Sequence, residues 1–93
     1  MKKPTVRELP GWPPGPGGAH RPGAYFPNAH EAVVNEMFPL RENALTFRCI
    51  FNGDSYSYHY FAESEKIARQ LHALVQKNIG KTVAELGDLE IEI

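Results

Sequence analysis

The chain is poor in the residues that build covalent and metal sites. Cys49 is its only cysteine, which excludes an internal disulfide, and a reducing, cytoplasmic setting fits that usage. His20, His30, His59 and His72 show neither HxH nor HxxxH spacing, and no CxxC stands beside them. No metal site and no cofactor are therefore expected. Long apolar runs are missing too: nothing could span a bilayer, and no signal-peptide core follows Met1-Lys2-Lys3-Pro4, so the expectation is a soluble, unprocessed protein with no membrane contact. An excess of one charge is the last absence. Ten Lys and Arg stand against eleven Asp and Glu, for a net charge of −1, whereas a dedicated nucleic-acid binder carries a basic domain or stripe.

Proline and glycine are plentiful, and they gather at the start. The run Leu9-Pro10-Gly11-Trp12-Pro13-Pro14-Gly15-Pro16-Gly17-Gly18 continues into Arg21-Pro22-Gly23. Proline lacks a backbone donor and glycine loses most freedom on ordering, so neither a helix nor an interior strand forms there. The chain divides into a Pro/Gly-rich arm, 1–27, and a small domain, 28–93, whose packed part of roughly 50 to 65 residues is a size at which burial is marginal. The arm holds Lys2, Lys3, Arg7 and Arg21 against Glu8. It also holds Trp12, with Leu9 before it and Tyr25-Phe26 after it, more apolar surface than a spacer needs. Two readings follow. Trp12, Pro13 and Pro14 fold back and enlarge the core, or they present a polyproline II ligand to an aromatic groove on another protein.

Residues 44–61 give the clearest local signal, two alternating runs around Asn52-Gly53. A two-residue type I′ turn there pairs Phe51 with Asp54, Cys49 with Tyr56, Phe47 with Tyr58 and Leu45 with Tyr60 on one face. Thr46, Arg48, Ile50, Ser55, Ser57, His59 and Phe61 take the other. After Phe61 the period becomes helical. Ile67, Leu71, Leu74 and Asn78 form a stripe widened by Ala68, Val75 and Ile79, with a start at Glu63 or Ser64 and a stop at Gly80. Thr82-Val83-Ala84-Glu85 is a capping box for one more helical turn. Leu89-Glu90-Ile91-Glu92-Ile93 alternates as a strand. Asn28-Ala29-His30-Glu31 reads as the cap of a short helix reaching Pro39 and carrying Val33, Val34, Met37 and Phe38.

The tyrosine hydroxyls of the second hairpin strand are best placed at a rim, which puts the first strand in the centre. A crossover through the long helix then brings the last strand beside it. The predicted fold is α+β: a three-stranded antiparallel sheet (hairpin plus C-terminal strand, order 2-1-3), one long helix on its aromatic face, preceded by the arm and the short helix. Gly80-Lys81-Thr82-Val83-Ala84-Glu85-Leu86, placed after a hairpin and a helix, is similar to a stretch of iron–sulfur scaffold proteins. In that family the cluster ligands are cysteines near the start of the helix and beyond it. Here the helix opens with Glu63-Ser64-Glu65 and no cysteine follows, so the resemblance implies layout and no cluster chemistry.

No catalytic constellation emerges. Cys49 faces inward, where a thiol is a small apolar group; Gly15-Pro16-Gly17-Gly18 lacks the lysine and flanks of a phosphate loop; Glu90 and Glu92 are solvated or guard an edge. The sequence thus predicts a noncatalytic protein-interaction module whose candidate contacts are Trp12, Pro13 and Pro14 in the arm and Arg48, Ile50, Ser57, His59 and Phe61 on the second face. Its partner is another protein or, in a homodimer, a second copy. The alternative is an accessory nucleic-acid-binding module using the basic arm and the Arg48/His59 face. That face is expected to be covered, by the arm in preference to a second chain, because a large bare apolar patch is unusual on a monomer.

Overall fold

The computed structural model describes residues 3–14 and 31–92. Its centre is the hairpin of β2 (Ala44–Phe51) and β3 (Asp54–Phe61). Asn52 and Gly53 take φ of 52° and 83°, the pair of positive angles a type I′ turn requires. Every expected cross-strand pair is present, from Phe51 with Asp54 through Leu45 with Tyr60. Leu45, Phe47, Cys49, Tyr58 and Tyr60 are consequently buried together.

The strand beside β2 is a correction. Val33–Met37, expected in a short helix, forms β1 and pairs antiparallel with β2, so the sheet is a meander of order β1-β2-β3. β-branched Val33 and Val34 suit a strand, and β2 offered them a whole unpaired edge. A bulge lies between Val34 and Glu36. Val34 and Met37 therefore face the core side with Cys49 and Phe47, while Val33 and Glu36 face the other side with Ile50 and Arg48. That reset parity breaks strict alternation, which is why the segment does not read as a strand. The proposed cap, Asn28 to His30, lies outside the described residues.

The C-terminal segment is the second correction. It does not enter the sheet. Among the described residues it runs against the arm instead, with a bridge between Thr5 and Glu90, Val6 N–H donating to Leu89 O at 2.8 Å and Ile91 N–H to Pro4 O at 2.9 Å. Gln70 clasps it from the helix side, donating to Glu92 O at 2.8 Å and accepting from Glu92 N–H at 2.6 Å. Its alternation still decides what goes inward: Ile91 is buried and Glu90 and Glu92 are exposed. Ile93 lies outside the described residues.

Helix α1 (Glu65–Lys77) starts as expected, Ser64 Oγ accepting from Ile67 N–H at 3.2 Å. Its stripe of Ile67, Ala68, Leu71 and Val75 is buried. Ile79, beyond the helix end, is exposed rather than part of that stripe. Gly80 at φ +104° reverses the chain where other residues would be strained. The segment after it lines the outer edge of β1, through Val34 N–H to Lys81 O, Gly80 N–H to Val34 O and Val83 N–H to Ala32 O, each 2.9 Å. Helix α2 (Val83–Gly87) carries the full capping box, Thr82 N–H donating to Glu85 Oε1 at 2.9 Å and Glu85 N–H to Thr82 Oγ1 at 3.1 Å. The Thr82 backbone N–H, and after it the Thr82 hydroxyl, donate to the Glu85 carboxylate and hold it below its usual pKa.

The arm completes the core. A short 3₁₀ turn, Val6–Glu8, buries Val6 and is followed by buried Leu9 and Trp12. Trp12 is 9% exposed, stacked on Phe47 at 6.1 Å between centroids and edge-on to Tyr60 at 5.3 Å. Tyr60 donates its hydroxyl to Pro10 O at 2.7 Å. No helix among the described residues is long and apolar enough to cross a membrane.

Candidate functional site

Trp12 settles which side of the sheet the described arm covers. Phe47 and Tyr60 belong to the core face, so Trp12 packs there with α1 and not on the Arg48/His59 face, as the favoured expectation had it. The physical reason is coverage: one 13-residue helix leaves part of a three-stranded aromatic surface bare. An indole gains more on aromatic rings than on a polar band. Trp12 and Pro14 are buried, whereas Pro13 is exposed. Tyr25 and Phe26, expected to join them, lie outside the described residues.

The other candidates share one face. Arg48, Ile50, Ser57, His59 and Phe61 all project from the side opposite Trp12, as the register requires. β1 adds Val33, opposite Ile50, and Glu36, opposite Arg48. These last two, with Phe38, are the contributors that the sequence reading missed. The signal for them was Val33-Val34, a pair equally at home in a strand.

This face is not one apolar patch. Val33 and Ile50, each 39% exposed, pair at one end, and Phe61, 74% exposed, lies opposite Ala44 at the other. Six residues along β2 separate those ends, about 20 Å at ~3.4 Å per residue. A polar band fills the interval. Arg48 meets Glu36 at 3.7 Å and lies 5.4 Å over the Phe38 ring. Thr46 Oγ1 is 3.2 Å from His59 Nδ1. The Arg48–Glu36 pair is half open to water and contributes under about 1 kcal/mol. Its guanidinium charge is nonetheless already answered within the face.

The edge of β3 offers more. In a two-residue hairpin the residues flanking the turn exchange both backbone hydrogen bonds, and such pairs alternate along the ladder. Phe51–Asp54 is that first pair, so Tyr56, Tyr58 and Tyr60 point their backbone groups at β2. Ser55, Ser57, His59 and Phe61 point theirs outward, where they meet no partner among the described residues. The two outer edges of the sheet thus differ: β1 is lined by residues 80–83, and no described residue lines the outward groups of β3. An edge of this kind is normally guarded by Lys, Pro or a bulge. β3 reads Asp-Ser-Tyr-Ser-Tyr-His-Tyr-Phe, with its one carboxylate at the turn and no break in register.

The buried groups on the core side are chemically quiet. Cys49 is fully buried, and burial pushes its thiol up to about 12. Burial also raises the Tyr58 and Tyr60 hydroxyls. Among the described residues no three of His, Cys, Asp and Glu gather as a metal-ligating group. No protein-family model matches the chain, and no curated protein or solved structure matches it.

Proposed function

We propose that the chain is a noncatalytic protein-interaction module that pairs through the outer edge of β3, and that its partner is a second copy of itself. The observation that carries this reading is the row of outward backbone groups at Ser55, Ser57, His59 and Phe61. An antiparallel strand is self-complementary about a twofold axis. Pairing β3 with its copy brings odd-numbered residues opposite odd-numbered ones and joins the two open faces into one six-stranded surface. Phe61 and His59 of each copy then gain neighbours. A domain of this size also gains stability from such pairing that its own core supplies only sparingly.

Sedimentation equilibrium over a wide concentration range tests it. The protein should approach a dimer as concentration rises, with a thermal midpoint that rises in parallel, as mass action requires. His59→Lys with Phe61→Lys places like charges across the new ladder and should give a monomer with an unchanged low-concentration midpoint. A wild-type monomer at every concentration contradicts the proposal, as does a dimer that the double variant leaves intact.

Charge-driven nucleic-acid binding has less support. Arg48 is engaged by Glu36 and Phe38, and the arm's Arg7 and Lys3 are paired with Asp88 and Glu92.

A further inference from the structure

Pairing through the outer edge of β3 has a consequence for one titratable side chain. Ser55, Ser57, His59 and Phe61 are the residues whose backbone groups point outward from β3. Only one twofold register engages all of them: Ser55 lies opposite Phe61 of the partner, and Ser57 opposite its His59. Each such pair exchanges both backbone hydrogen bonds, so this register gives the longest ladder. In it, His59 stands diagonally across the seam from His59 of the partner. Diagonal neighbours on one face of an antiparallel pair are about 7–8 Å apart.

The rest of the surroundings of His59 is set within each chain. Thr46 lies opposite it on β2, with Oγ1 3.2 Å from Nδ1. Arg48 and Ala44 are its diagonal neighbours on β2, and Ser57 and Phe61 flank it along β3. From β1 the face receives Glu36, which meets Arg48 at 3.7 Å. Among the described residues no carboxylate pairs with His59, and Trp12 and α1 lie on the opposite face. A neutral imidazole therefore fits the seam, bonded to Thr46 and set among serine hydroxyls and Phe61. Two protonated rings do not: each would meet the other across the seam with an Arg48 close behind it and no anion between them. Histidine is the side chain that changes charge between about pH 5 and 8. Resting on the edge pairing proposed above, we infer that His59 is a pH switch for that pairing: neutral, it allows the two β3 strands to join, and protonated on both copies, it drives them apart. The paired state holds fewer protons than two separate chains, so association strengthens as pH rises and weakens as pH falls.

Two unit charges 7–8 Å apart at a partly hydrated edge repel strongly enough to weaken association about 10-fold. Sedimentation equilibrium at about pH 8 and about pH 5.5, either side of the imidazole transition, reads that change in Kd. His59→Gln keeps a side-chain amide for Thr46 and carries no titrating charge. It should dimerise equally at both pH values, whereas acid unfolding would weaken its dimer as well. His72→Gln is the control: this histidine sits on α1, 3.0 Å from Phe38 O, and its loss should leave the 10-fold change in place. Raising the salt well above physiological strength should shrink the wild-type difference, because exposed charges are screened. A wild-type dimer with the same Kd at both pH values overturns the switch and leaves edge pairing standing. A monomer at both overturns the two together. A pH response that persists in dimeric His59→Gln, or one that salt leaves unchanged, also overturns the switch.

Discussion

Replacing Trp12 by alanine measures how much the arm belongs to the core. The residue is 9% exposed, with contacts to Phe47 and Tyr60. An aromatic side chain that buries ~200 Å² at ~25 cal/mol per Å² gives an upper value of about 5 kcal/mol. Alanine keeps part of the burial, and the unfolded chain hides some of the surface already. The expected loss is ~3–4 kcal/mol, within the range of Trp and Phe truncations. A chain of 93 residues has a total stability on the order of 5–14 kcal/mol, so the variant retains only a fraction of it. At ~4–8 °C per kcal/mol for a small domain, the thermal midpoint should fall by roughly 12–32 °C. Urea unfolding followed by far-ultraviolet circular dichroism gives the free energy without relying on the lost fluorophore, and the wild-type indole emission should be blue-shifted. A loss under ~1 kcal/mol together with water-like emission would refute the packing and make the arm a free ligand.

Three further outcomes follow from the hairpin. Gly53 sits at φ +83° with nothing within 4 Å of a built Cβ, so Gly53→Val should cost roughly 1 kcal/mol or more through backbone strain alone, read as a shifted urea midpoint with an unchanged slope. Cys49 should be inert to thiol reagents in the native state and react only on opening, at a rate that falls as the fold is stabilised. Its ordinary pKa near 9 is raised to about 12 by burial. Above pH 9 the unfolded chain loses this proton while the folded one keeps it, so stability is intact below pH 9 and falls as pH climbs toward 12. Cys49→Ala should flatten that alkaline slope, and an unchanged slope would contradict the assignment.

The hairpin was legible because Asn52-Gly53 dictates both turn and register, and the helix and Thr82 cap because their residues act locally. What escaped depended on competition between distant segments. Val33-Val34 favours a strand, but the helix-cap pattern before it competes, and the bulge after Val34 hides the alternation that would decide it. The alternation of Leu89 to Glu92 shows which side chains turn inward and says nothing of which backbone pairs with them. β1 took the edge of β2, and the arm took the C-terminal segment. The five candidates of the second face were placed together by parity alone. Their significance at the edge emerged only once residues 80–83 were found lining β1 and nothing among the described residues lining β3.

Amide exchange along β3 tests the central claim most directly. Tyr58 and Tyr60 bond inward to β2, so their amides should be protected at every protein concentration. Those of Ser57, His59 and Phe61 point outward. They should exchange quickly in dilute solution and become protected as concentration rises, together and with one midpoint. Outward amides that stay unprotected throughout would contradict pairing through this edge. So would outward amides protected to the same degree at every concentration, which would mean that the chain covers the edge by itself.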